Sequence, residues 1–167
     1  LITAETLRSL IRHHQKSDAR ITLLTIDADG PSDMGRVVRD ADGLVAAIIE
    51  HDDADPVTLA VREVNGGVYC FRSSWLWPSL DSLAPSAGGE LRVTDLVALA
   101  SRQGMAVESV RAPRREELLG VNNRVQLAEA EKALRARIRH RWMLAGVTMP
   151  DPDSVYIDAA VELGQDS

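Results

Sequence analysis

The order of apolar and polar positions divides the chain into short elements of alternating type. Residues 3–17 carry Leu7, Leu10 and Ile11 at helical spacing, with Thr3 or Glu5 placed to open a helix. Arg20 to Ile26 is a β-rich apolar run, the mark of a buried strand. A polar loop from Asp27 to Met34, containing Gly30-Pro31, follows it. Gly35 to Arg39, the turn Asp40 to Gly43, and Leu44 to Ile49 read as a hairpin. Glu50 to Pro56 is an acidic loop. Val61 to Phe71 is a further strand, interrupted at Asn65-Gly66-Gly67. Paired glycines there fit a bulge, or a place where something approaches the backbone closely.

The second half keeps the alternation. Ser73 or Ser74 caps a short helix through Leu83, and Pro85 to Gly89 is a flexible loop. Thr94 or Asp95 caps a helix from Leu96 to Gln103, which Gly104 ends. Met105 to Val110 is a strand, and Glu116 to Leu119 a helical turn. Gly120-Val121-Asn122-Asn123 leads into a long helix to about Leu144, with Leu127, Ala130, Leu134, Ile138 and Trp142 in one stripe. Gly146 stops it. Beyond, Ile157, Val161 and Leu163-Gly164 stand among small and acidic residues, as at the beginning of a short β repeat. Strands alternating with helices predict an α/β fold with added antiparallel strands.

Composition narrows the function classes. The 167 residues hold 19 Lys+Arg and 25 Asp+Glu, a net charge of −6, with 45% hydrophobic residues. That is an ordinary globular balance, and its acidity argues against a broad nucleic-acid face. Aromatic residues are only 4%, so the core must be aliphatic. The single Cys70, in an alternating apolar run, excludes an internal disulfide framework and a cysteine zinc cluster and reads as a reduced structural thiol. No segment approaches the ~18 apolar residues of a membrane span, and no signal peptide opens the chain, so a cytoplasmic protein is expected. The chain begins at Leu1 rather than Met, as part of a longer polypeptide would.

Four clusters could carry chemistry, each beside a plainer reading. Met34-Gly35-Arg36 is a turn glycine or an exposed stretch of backbone. Glu50 with His51, Asp52, Asp53 and Asp55 is a solvated acidic loop, an acceptor for sugar hydroxyls, or a hard-cation ligand. Asn65-Gly66-Gly67 is a capped bulge or a hydroxyl-reading amide beside open backbone. Asn123 is a helix cap, and Asn122 a neutral oxygen donor suited to a Mg²⁺ site. His13, His14, His51 and His140 lack ligand spacing and read as surface residues. Arg111, Arg114 and Arg115 form a basic loop, as do Arg135, Arg137, Arg139 and Arg141 on the long helix, balanced by acidic neighbours or available to phosphate. No nucleophile–base constellation follows from spacing.

In order, several segments resemble one enzyme family. They are Gly35-Arg36-Val37-Val38-Arg39, Ile48-Ile49-Glu50-His51, Arg62 to Tyr69, Glu90 to Asp95, and Gly120-Val121-Asn122-Asn123-Arg124-Val125-Gln126-Leu127. Leu144-Ala145-Gly146-Val147, Asp151-Pro152 and Tyr156-Ile157-Asp158 extend the likeness to nearly the whole chain. The chain is similar to the bifunctional bacterial N-acetylglucosamine-1-phosphate uridylyltransferases/glucosamine-1-phosphate acetyltransferases. The resemblance implies a partial Rossmann-like nucleotidyltransferase fold over 1–121, a linker helix over 122–146, and the start of a left-handed β-helix over 147–167. It implies transfer of UMP from UTP to N-acetylglucosamine 1-phosphate, giving UDP-N-acetylglucosamine and pyrophosphate. Gly35 would contact the sugar through its backbone, Glu50 and Asn65 would bind its hydroxyls, and Asn122 would ligate Mg²⁺ and touch the nucleotide. Acetyl-CoA would serve a second activity in a domain following Ser167, and the full-length protein would be a homotrimer without nucleic-acid or membrane partners.

Three positions depart from the family pattern. Gly66 stands where the family usually has Thr, Leu91-Arg92 where it has two tyrosines, and Asp52 where Lys is common. These leave a second reading, another sugar-phosphate nucleotidylyltransferase, and a third, a non-catalytic module of the same fold. The family's glycine-rich nucleotide loop and its second Mg²⁺ ligand, an Asp, precede the segment matching Leu1-Ile2. This chain alone is therefore expected to be inactive in uridylyl transfer.

Overall fold

The buried strand predicted at residues 20–26 is the axis of the fold. The computed structural model describes every residue of the chain except Pro31 and Ala87, so the loop readings at those two positions lie outside the described residues. The described residues fall into two compact units: Ile2–Leu118, and Leu119–Ser167 with Leu1.

In the first unit, β1 (Ile21–Asp27) lies between β4 (Glu63–Phe71), antiparallel to it, and β5 (Val107–Arg111), parallel to it. The hairpin β2 (Arg36–Arg39) and β3 (Val45–Ile49) completes a five-stranded sheet of order β3-β2-β4-β1-β5. Both faces of β1 are covered, which is why its sequence is continuously apolar. Ile21 and Leu23 enter one cluster with Val37, Val45, Ile48 and the buried Leu96, Val97 and Ala100 of α4 (Asp95–Arg102). Leu24 enters the other, with Leu10 of α1 (Ala4–Lys16), Ala112 and Leu118. Strand alternation sends Tyr69 and Phe71 to the first cluster and Val68 and Cys70 to the second. Tyr69, Phe71 and Trp75, half of the chain's six aromatics, thus collect on one side, and the other rests on aliphatic residues, as the composition required.

Several local expectations hold in detail. Thr3 caps α1, its hydroxyl accepting from the Thr6 N–H at 3.1 Å. The glycines of β4 are a bulge: Leu23 pairs with Tyr69 and Thr25 with Asn65, so the register slips between them. Others are corrected. Neither Ser73 nor Ser74 caps α3 (Ser73–Leu80); Arg72 holds the cap position without a side-chain bond, and the helix ends at Leu80 rather than Leu83. The acidic loop contains a short turn at His51–Asp53 and α2 (Pro56–Leu59), capped by Asp55, whose carboxylate accepts from Thr58 N–H at 2.7 Å. His14 is half-buried, its Nδ1 lying 2.8 Å from the hydroxyl of buried Thr22. Burial and the nearby Arg72 charge lower its pKa.

The second unit is built on α5 (Arg124–Leu144), for which Asn123 is the cap, accepting from Gln126 N–H at 2.9 Å. Its predicted stripe is buried at Ala130 and Ile138, whereas Leu127 remains 54% exposed. Buried Arg139 bonds Asp153 at 2.6 Å, and Arg135 stacks over the Tyr156 ring at 4.3 Å. Residues 147–167 carry a short turn at Pro152–Ser154 and, among the described residues, no strand.

Candidate functional site

Three of the four residues singled out from the sequence meet at one place. Gly35 precedes β2 and is buried. A Cβ there would lie 2.9 Å from Ile48 Cγ2 and 3.1 Å from Glu50 Oε2, so glycine is what lets the Glu50 carboxylate lie against this backbone. The Gly35 carbonyl accepts from the Asn65 N–H at 2.8 Å, joining the bulge of β4 to the same spot. Arg36 stiffens the approach. Its side chain, only 4% exposed, turns back onto carbonyls of Ser32, Met34 and Leu59.

Glu50 follows β3 and is half-buried. Its carbonyl accepts from Asp53 N–H at 3.1 Å, and its Oε1 accepts from the Thr94 hydroxyl at 2.9 Å. Of Thr94 and Asp95, the two residues expected to cap α4, Thr94 holds the cap position, but its backbone is helical and its side chain makes no cap bond. The hydroxyl is committed to Glu50 instead. Beside them Arg92 pairs with Asp53.

Asn65 sits in the bulge. Its Oδ1 accepts from Gly67 N–H at 3.0 Å, and Gly67 has φ 70°, a left-handed conformation natural to glycine. At Gly66, a Cβ would lie 2.5 Å from Leu118 Cδ1 and 2.8 Å from the Leu24 carbonyl. The space that a side chain would occupy at this departing position is filled by Leu118. Tyr69, on the same strand, buries its hydroxyl without a hydrogen-bond partner among the described residues. Burial raises its pKa, and the Glu50 charge adds to the rise while Asn65 opposes it.

Asn122 belongs to the second unit, where it is exposed and its N–H donates to Gln126 Oε1 at 2.7 Å. It offers one neutral oxygen. Among the described residues no three His, Cys, Asp or Glu come together as a metal-binding group.

The basic loop at Arg111, Arg114 and Arg115 resolves into ion pairs. Arg111 pairs with Asp27, Arg114 with Glu117 at 3.1 Å and Arg115 with Asp29 at 3.5 Å, so the basic loop is neutralised within its own unit. Arg39 bonds Glu63 through two nitrogens at 2.8 and 2.9 Å. Burial raises the Cys70 thiol pKa, consistent with a structural thiol. No helix among the described residues is long and apolar enough to cross a membrane.

The arrangement can read hydroxyl groups. A carboxylate, an amide and a glycine backbone without a side chain converge, and among the described residues no nucleophile and base are in contact there. Sequence reasoning missed Thr94, Tyr69 and the Arg92–Asp53 pair. A threonine before a helix carries the same signal whether it caps or turns away, so nothing in the sequence separated those uses.

The family model for nucleotidyl transferases matches residues 1–117. The protein named Bifunctional protein GlmU from Geobacillus sp. (strain WCH70) is 44% identical over the whole chain, which covers 37% of that relative. The protein of the same name from Trichlorobacter lovleyi is also 44% identical, with 36% of it covered. The chain thus spans little more than a third of the curated relatives it matches. A Bacillus anthracis structure assigned as a glucose-1-phosphate thymidylyltransferase, solved with sucrose, aligns with TM-score 0.56 at 20% identity, over 77% of this chain and 48% of that one. At that identity it speaks for the fold alone.

Proposed function

Because the chain belongs to the nucleotidyl transferase family, we propose that it supplies the sugar-phosphate side of a uridylyltransferase acting on N-acetylglucosamine 1-phosphate and UTP. The observation that carries this is the convergence of Gly35, Glu50 and Asn65. The Asn65 N–H reaches the Gly35 carbonyl at 2.8 Å, and Glu50 Oε2 lies 3.1 Å from the vacant Cβ position of Gly35. The names of the curated relatives support the same reading.

On this reading the sugar phosphate attacks the α-phosphorus of UTP in line and displaces pyrophosphate. The protein's contribution is orientation rather than a covalent intermediate. Glu50 accepts hydrogen bonds from sugar hydroxyls, and its carboxylate is aimed by Thr94. Asn65 offers both donor and acceptor. The Gly35 backbone lies close to the ring because nothing projects from it. Asn122 would contribute a single oxygen to a Mg²⁺ ion that, when bound, neutralises phosphate charge. Residues 122–146 would serve as linker and 147–167 as the first part of a left-handed β-helix.

The test is steady-state kinetics of a full-length protein carrying this segment. Glu50→Gln and Asn65→Ala should each raise KM for N-acetylglucosamine 1-phosphate by about tenfold or more, the worth of a hydrogen bond to a charged or buried partner. KM for UTP should stay near its original value. Unchanged KM for the sugar phosphate in both variants would sink the assignment. The departure at Leu91-Arg92 favours a second reading, a different hexose 1-phosphate. A substrate panel decides between the two.

A further inference from the structure

The Arg92–Asp53 ion pair borders the proposed sugar site without being one of its contacts. It has a specific mechanical setting. Asp53 closes the short turn that Glu50 opens, its N–H donating to the Glu50 carbonyl at 3.1 Å. Arg92 precedes α4, and its carbonyl accepts from Asp95 N–H at 3.1 Å. That helix is anchored in the core by Leu96, Val97 and Ala100, each 0% exposed. Two residues after Arg92, Thr94 donates to Glu50 Oε1 at 2.9 Å. The turn at 50–53 and the segment at 92–94 are therefore joined at two points. One is the hydrogen bond to the working carboxylate, and the other is the ion pair.

The electrostatics point the same way. The Arg92 guanidinium is held charged by its bond to Asp53 and by the nearby charges of Glu50 and Asp95. The side chain of Arg92 is 26% exposed and that of Asp53 55%, so the pair is open to solvent at the rim rather than sealed in the core.

We propose that the Arg92–Asp53 pair is a clasp that positions Glu50 for the sugar, by fastening the turn that begins at Glu50 to the rigid start of α4. Arg92 and Asp53 are positioning residues, acting through Glu50 and Thr94. The proposal rests on the sugar-site reading above. It also gives a use to Arg92, which departs from the family pattern.

The experiment uses a full-length protein carrying this segment, with Arg92→Ala, Asp53→Ala, the double variant, Arg92→Lys and Glu50→Gln compared side by side. Each single alanine variant should raise KM for N-acetylglucosamine 1-phosphate by about threefold to fivefold with kcat nearly unchanged, the scale of a rim ion pair. The double variant should be no worse than either single one, since both changes break one interaction. Arg92→Lys should recover part of the loss. The gap between Arg92→Ala and the original protein should narrow at high salt, as expected of a solvent-exposed pair. Thermal unfolding monitored in parallel should move little. Additive KM effects, or unchanged KM in both single variants while Glu50→Gln raises it, overturn the clasp and leave the sugar site standing. Unchanged KM in Glu50→Gln instead removes the sugar-site reading itself.

Discussion

Glu117 has both carboxylate oxygens engaged within the fold, whereas Glu50 has only one. Glu117 Oε2 accepts from the Thr6 hydroxyl at 2.5 Å, the Thr3 N–H at 3.0 Å and the Thr3 hydroxyl at 3.1 Å. Its Oε1 accepts from Arg114 at 3.1 and 3.2 Å. Glu63 is similar, bonded through both oxygens by Arg39 and only 8% exposed. Glu50 Oε1 has Thr94, and among the described residues its Oε2 receives no hydrogen bond and faces the empty Cβ position of Gly35. The comparison separates two uses of one side chain. A carboxylate whose lone pairs are all taken ties elements together: Glu117 joins the start of α1 to the turn at Arg115–Leu118. A carboxylate held by one bond at the sheet margin is aimed and still has capacity for a ligand.

The largest effect that bears on this comparison is on stability. Glu117→Ala leaves three threonine groups and the half-exposed Arg114 guanidinium without their buried acceptor, and should cost about 3 kcal/mol. Urea unfolding of the chain measures it. The same residue predicts an acid response. Burial raises the Glu117 pKa, but the bonds from Thr6, Thr3 and Arg114 outweigh it and the net shift is downward. Burial likewise opposes, and the paired bonds and charge of Arg39 overcome, the shift at Glu63, which is also lowered. A lowered folded-state pKa means that the unfolded chain binds protons first. The stabilisation is fully present above the ordinary glutamate value of about 4.3 and is lost as pH falls through the lowered folded values. The urea midpoint should therefore fall steeply below about pH 4, and less steeply in Glu117→Gln. Parallel pH profiles for the two proteins would remove Glu117 from this role.

The fold was more legible than the site. Period and punctuation alone locate β1, the β2–β3 hairpin, α4 and α5, because each buries a patterned face. The bulge was readable from Gly66-Gly67, since glycines inside a strand have few other causes. The short α2 was hidden, because its four residues carry almost no periodicity and depend on the cap from Asp55. Of the site, Gly35, Glu50 and Asn65 were found through resemblance, and their order along the chain gave no sign of their meeting. Gly35, just before β2, and Asn65, on β4, are 30 positions apart, and the β2–β4 pairing brings them together. Thr94 and Arg92 were missed because a loop residue's partner is set by tertiary placement and leaves no local pattern.

An intermediate effect is expected at Gly35. An added methyl would press on Ile48 Cγ2 at 2.9 Å and on the Glu50 carboxylate at 3.1 Å. Ile48 Cγ2 is a branch methyl of a core residue and gives little, whereas the Glu50 carboxylate ends a flexible side chain, and the cost should be about 2 kcal/mol. The carboxylate is what moves, so KM for the sugar phosphate should rise as well. Gly43→Ala is the matched control. It also loses stability, because Gly43 has φ 79°, but it has open space around it and should leave KM alone. Equal KM effects in the two would show that general loosening, rather than displacement of Glu50, lies behind the Gly35 result.

The smallest stability effect should be at Glu50 itself. In Glu50→Gln the amide oxygen can still accept from Thr94, and the new NH₂ group replaces an oxygen that had no donor among the described residues. No buried partner is orphaned, so the urea midpoint should shift by no more than about 0.5 kcal/mol equivalent, the level of an ordinary surface change. Sugar-phosphate binding depends on what that oxygen accepts from the ligand, so it should still suffer. A residue built to hold the fold would show the opposite pairing, a large loss of stability with kinetics following only as folded protein is lost. If Glu50→Gln unfolds as readily as Glu117→Ala, the distinction between the two carboxylates fails, and Glu50 is one more strut of the sheet margin.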